Sequence, residues 1–117
     1  MILGRVRKLM GDRDGALEAY LVAVEIFRGT GNRDYEGIAL NDIGTLYRDQ
    51  GRYREAEIYH KQALRISREL TDRDVEGSAL HSLGMLYFDQ GRYDEALEVY
   101  QQSLTIQREL GNRAEEA

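Results

Sequence analysis

The sequence predicts an all-α protein, a solenoid of stacked antiparallel helix pairs. Three observations carry this: an internal repeat of 40 residues, two apolar stripes of helical period in each repeat, and no strand pattern. Residues 31–70 and 71–110 align without a gap and agree at 22 of 40 positions. The register extends backwards, where Gly11, Ala16, Ala23 and Val24 fall on Gly51, Ala56, Ala63 and Leu64. The 117 residues are therefore read as one domain. Residues 1–30 form a partial first repeat, 31–70 and 71–110 are whole repeats, and 111–117 open a further one. β-branched residues are scattered, and no segment alternates over a useful length.

The elements follow in order from that register. Leu3, Gly4 and Val6 match Ile43, Gly44 and Leu46, so the chain opens inside the first helix of a pair. Residues Asp12–Arg28 are expected as its second helix. Ala39, Leu40, Ile43, Gly44, Leu46 and Tyr47 then make the i, i+3, i+4, i+7 stripe of an amphipathic helix. Gln50-Gly51 supplies a glycine free to take the left-handed conformation that ends a helix. Tyr53, Ala56, His60, Ala63, Leu64 and Leu70 form the stripe of the partner helix. Asn32 and Asp72 are placed to cap the helices that follow them, with Asp34, Glu36, Asp74 and Glu76 in the electropositive first turns. Gly44 and Gly84 each cost about 1 kcal/mol against alanine inside a helix, so their recurrence predicts a close helix approach. Ala56 and Ala96 are expected at that crossing.

Composition narrows the function. The net charge of −5 argues against nucleic acid as a partner, because phosphate binding needs a basic surface. With no cysteine there is no disulfide, thiolate metal site or cysteine nucleophile. The longest apolar stretch, Ala19 to Phe27, is broken by Glu25 and is far too short to span a bilayer. The N-terminal residues lack the apolar region of a signal peptide, which makes a soluble, cytoplasmic chain the expectation.

Leu40, Ile43, Gly44, Tyr47, Gly51, Ala56, His60 and Ala63 in one unit are matched by Leu80, Leu83, Gly84, Tyr87, Gly91, Ala96, Tyr100 and Ser103 in the next. This pattern resembles the tetratricopeptide repeat. The usual period of that family is 34 with a closing proline, whereas this chain has 40 and no proline. The longer unit, with its Gly-Asn-Arg joint, resembles the long-repeat branch that includes the Pins/LGN polarity adaptors and prokaryotic signalling arrays, with kinesin light chain more distant. The resemblance implies a right-handed superhelix whose first helices line a concave groove. It nominates Arg5, Lys8 and Leu9 of the first unit as groove positions. In the second it nominates Ile38, Asn41, Asp42, Thr45, Arg48 and Asp49, and in the third Ser78, His81, Ser82, Met85, Phe88 and Asp89.

The two whole repeats differ most at these positions, where packing does not constrain them. Met85 and Phe88 on a solvent-facing side mark a binding patch. With Arg5, Lys8 and Arg48 nearby, the expected ligand is a protein or peptide with an apolar anchor and an acidic residue, and Asn41 and His81 are candidates to bond its backbone. A second expectation concerns Leu21, Val22 and Phe27, where the later units carry polar Lys61/Gln101, Gln62/Gln102 and Ser67/Gln107. That greasy outer face, or stacking through uncapped ends, would support a homo-oligomer and a structural scaffold. Asp49 and Asp89 are read as partners of Arg52 and Arg92 across the turn.

No catalytic constellation is present. His60 shares its position with Tyr20 and Tyr100 and reads as a packed histidine, and His81 has no second ligand at metal spacing. Asp12-x-Asp14-Gly15 opens like a calcium loop, but its glycine is misplaced and Ala23 stands where the closing glutamate belongs. There is no phosphate loop and no nucleophile elbow. The sequence therefore predicts a non-enzyme without catalytic, cofactor-binding or metal residues.

Overall fold

The computed structural model describes residues 13–116, with side chains described for 14–111. Five helices follow one another: α1 (Arg13–Thr30), α2 (Arg33–Asp49), α3 (Tyr53–Leu70), α4 (Arg73–Asp89) and α5 (Tyr93–Glu116). They form a right-handed α-solenoid of antiparallel pairs, and no strand occurs among the described residues. Each helix packs on its neighbours in sequence, and α2 also approaches α4 along the backbone. The outer helices α1, α3 and α5 make no such mutual approach, so the array curves with α2 and α4 on its inner side.

The joints form as the local sequence dictates. Asn32 and Asp72 accept hydrogen bonds from the backbone N–H groups of Tyr35 and Val75, as expected of N-caps. Gly31, Gly51 and Gly91 all adopt φ of 74° at helix ends. Thr71, in the place of Gly31, takes the same left-handed turn at φ 56°. The third recurrence of this joint behaves differently, because α5 continues without a break through Gly111 to Glu116.

The core is the repeated stripe. Leu40, Ile43 and Leu46 of α2 and Leu80, Leu83 and Leu86 of α4 are buried, together with Ala16, Ala56 and Ala96. Each buried leucine or isoleucine contributes about 2 kcal/mol by removal from water. Gly44 and Gly84 do mark close approaches, but the partner is not the alanine crossing. A Cβ on Gly44 would stand 2.6 Å from Cε1 of His60, and one on Gly84 would stand 2.5 Å from Cε1 of Tyr100. The small residue makes room for a ring rather than for a second backbone.

Buried charge holds the joints. Glu36 is buried and accepts from Arg28 Nε at 2.9 Å and Arg33 Nη1 at 3.0 Å, and Arg33 reaches on to Glu69 at 2.7 Å. Forty residues later Glu76 repeats this with Arg68 at 3.2 Å and Arg73 at 2.8 Å, and Arg73 pairs with Glu109. A separate node joins the second and third units, where Glu57 accepts from Tyr87, Arg92 and Lys61. Burial pushes Glu57 upward, but these three donors outweigh it and hold the carboxyl below its usual range. Of the turn pairs read from sequence, Asp89–Arg92 is replaced: Asp89 takes Arg48, and Arg92 bonds Glu57 and Glu95. Arg52 bonds Glu55.

Candidate functional site: the concave groove

Two openings flank α4, one against α2 and one against α5. The first, of about 220 Å3, is lined by Ile38, Asn41, Asp42, Asp74, Val75 and Ser78. The second, of about 390 Å3, lies between α4 and α5, with His81, Ser82, Ile106 and Leu110 among its walls. Asp74 and Ser78 belong to both, so they stand between the two openings. Helical geometry explains the set: Ile38, Asn41 and Asp42 fall at i, i+3 and i+4 on α2, and Asp74, Ser78, His81 and Ser82 make the matching stripe on α4.

One groove side chain is fixed from beneath. His60, fully buried, lies 2.7 Å through Nδ1 from Oδ1 of Asn41. The carboxamide oxygen accepts, so this ring nitrogen carries the proton, and the Asn41 amino group is left for the groove. The other ring nitrogen, Nε2, is buried without a partner. Burial, with the nearby charge of Arg48 adding to it, pushes the imidazole down to about 4. His60 is thus a neutral packing residue.

The remaining nominated positions divide. Arg5, Lys8 and Leu9 lie outside the described residues. Thr45 donates its hydroxyl to the Asn41 carbonyl at 3.3 Å, within its own helix. Arg48 donates through Nε to Asp89 at 2.7 Å, so its charge is already matched across the two units. Met85 is half-buried. Phe88 is 58% exposed, but its ring packs edgewise on Tyr93 at 5.3 Å, at the α4–α5 turn, and lines neither opening. His81 is exposed beside the Tyr100 ring at 5.5 Å.

The outer-face expectation is also redistributed. Leu21 and Phe27 are half-buried against the core, with Phe27 stacked on Tyr35 at 5.4 Å, and Val22 alone of the three is exposed. The apolar residue beside it on α1 is Ile26, 57% exposed, whose counterparts Ile66 and Ile106 are buried against Gly37 and Gly77. A larger exposed set lies at the other end, where Phe88, Tyr93, Leu97 and Leu104 present side chains from the α4–α5 turn and α5.

Sequence reasoning missed Asp74 and Val75. Asp74 matches Asp34 one repeat earlier and reads as a first-turn residue, and only the α2–α4 contact turns it into the partition between two openings. Among the described residues no group of three metal-binding side chains occurs, and no helix is long and apolar enough to cross a membrane.

Comparison with known proteins follows the same lines. A tetratricopeptide repeat family model matches residues 1–69, and a second of the same description matches residues 77–113. No curated protein matches the chain. Among solved structures, the TPR domain of Arabidopsis FLU is similar with a TM-score of 0.81 at 22% identity, covering 87% of this chain and 86% of that one. BtubC (BKLC) from P. vanneervenii is similar with a TM-score of 0.84 at 23% identity, covering 92% of this chain. The match spans 44% of that longer chain. At these identities the likeness is one of fold. The family matches, the 40-residue helix pairs and the ring-on-glycine contacts together show that the chain belongs to the tetratricopeptide repeat family, whose domains are in general protein-interaction modules.

Proposed function

We propose that this chain binds a peptide segment of a partner protein in the groove between α2 and α4. The observation that carries the reading is the 220 Å3 opening, where aliphatic Ile38 and Val75 sit beside Asn41, Asp42, Asp74 and Ser78. Mixed apolar and polar linings of this kind suit a peptide, because the walls take a side chain while the polar groups meet its backbone. Asn41, oriented by buried His60, supplies a donor for a peptide carbonyl. The 40-residue period and the Gly-Asn-Arg joint support the long-repeat branch and a role within a signalling or regulatory protein.

Selection of displayed random peptides on the wild-type chain and on Ser78→Arg tests this. Peptides enriched on the wild type and lost on the variant support the groove. Identical enrichment on both, or none on either, overturns it.

A second reading, self-association, is favoured by the exposed Phe88, Tyr93, Leu97 and Leu104. Sedimentation of the wild type against Leu97→Lys/Leu104→Lys decides it. A concentration-dependent mass abolished by the lysines supports assembly through this end, and an invariant monomer removes it.

A further inference from the structure

Among the described helices α5 packs on α4 alone, so its other side is open. Tyr93, Leu97 and Leu104 lie on that side, 62%, 57% and 46% exposed. Their repeat counterparts Tyr53, Leu17 and Val24 all pack into the core. Charge along this face is divided by sign. Asp94 and Glu98 occupy its N-terminal half and Arg108 its C-terminal half, and none of the three makes an ion pair among the described residues. The remaining charges of α5 up to residue 111, Glu95 and Glu109, are held by Arg92 and Arg73.

Asp94, Gln101 and Arg108 fall seven residues apart on one edge of the helix, and Leu97 and Leu104 repeat the same interval beside them. Turned end for end about Gln101, the face is complementary to itself. Asp94 then meets Arg108 of a second copy, Arg108 meets that copy's Asp94, and the leucines meet between them. A parallel arrangement would instead set like charges opposite each other.

We infer that two copies of this chain pair antiparallel through α5, closing a two-fold dimer about Gln101. This rests on the self-association reading above and names its geometry. An isologous contact of this kind closes on itself, whereas end-to-end stacking continues without limit. In this register residues past 111 of one copy fall beyond the start of the other copy's α5, so the charge pairing is set within residues 93–111. The opening between α2 and α4 takes no residue from α5, so the dimer carries two grooves.

Sedimentation equilibrium of the wild type, Asp94→Arg, Arg108→Asp and Asp94→Arg/Arg108→Asp, carried to millimolar concentration, tests this. The wild type is expected to stop at twice the monomer mass. Each single variant sets two like-charged pairs across the axis and should dimerise about tenfold more weakly. The double variant reverses both pairs and should recover the wild-type constant, as should an equimolar mixture of the two single variants. These differences should narrow as salt rises. Thermal melts by circular dichroism establish that every variant is folded.

Single variants that dimerise as well as the wild type, a double variant that fails to recover, or a mass that grows past two copies overturns the antiparallel pair. Where Leu97→Lys/Leu104→Lys still abolishes the association, self-association through this end stands. Association indifferent to the lysines, or a monomer at every concentration, overturns both.

Discussion

The imidazole of His60 lies directly over Gly44, so close that a Cβ at residue 44 would stand within 2.7 Å of three ring atoms. The ring is fully buried and tied to Asn41, which leaves it little room to withdraw. Gly44→Ala should therefore destabilise the protein by about 2 kcal/mol, although alanine gains about 1 kcal/mol of helix propensity. Urea denaturation measures the sum. An increase in stability would show that the ring shifts freely.

His60 also makes stability depend on pH. Its native value is about 4 against 6.5 when exposed, so between those values the unfolded chain binds a proton that the native chain does not. Stability should fall as pH drops from 6.5 to 4, by about 3 kcal/mol in all, and this contribution is constant below 4. His60→Tyr, the residue found at Tyr20 and Tyr100, should flatten the melting temperature between pH 6.5 and 5. A slope unchanged by the substitution would assign the effect to other groups.

Glu36 gathers two arginines at the first described joint, and its carboxylate is almost inaccessible. Glu36→Gln keeps the shape but loses the charge-assisted character of both bonds. We expect a cost of about 2 kcal/mol, read from the urea midpoint. Glu55→Gln, an exposed pair with Arg52, serves as control and should move stability by less than about 0.5 kcal/mol.

Thr71 occupies a left-handed conformation that glycine takes at the same point one repeat earlier. Relief of that strain makes Thr71→Gly stabilising by about 1 kcal/mol, after the entropy that glycine adds to the unfolded chain. A thermal melt settles the sign.

The helices and their stripes were legible because packing imposes a 3.6-residue period that a 40-residue repeat displays more than once. Leu40, Ile43, Leu46 and their counterparts needed no tertiary information. Groove residues were legible only by register: Ile38, Asn41 and Asp42 line the opening as nominated, whereas Arg48 and Phe88 are drawn away by Asp89 and Tyr93. Those two contacts join different helices, and no periodicity encodes them. The buried Glu36 and Glu76 were visible as acidic first-turn residues. Their burial depends on Arg28 and Arg68 reaching across the joint, 8 residues away in the chain.

Glu57 stands where the first unit has Leu17 and the third has Leu97. Leu17 packs into the core, whereas Glu57 gathers Lys61, Tyr87 and Arg92. Successive seams are therefore chemically distinct despite their common geometry. The facing Tyr87 and Arg92 recur as Tyr47 and Arg52, so the residue on the outer helix alone decides whether a seam is ionic or apolar. The character of each junction thus travels with the unit that precedes it, and a recombined array would carry its ionic seam wherever the second unit is followed by another.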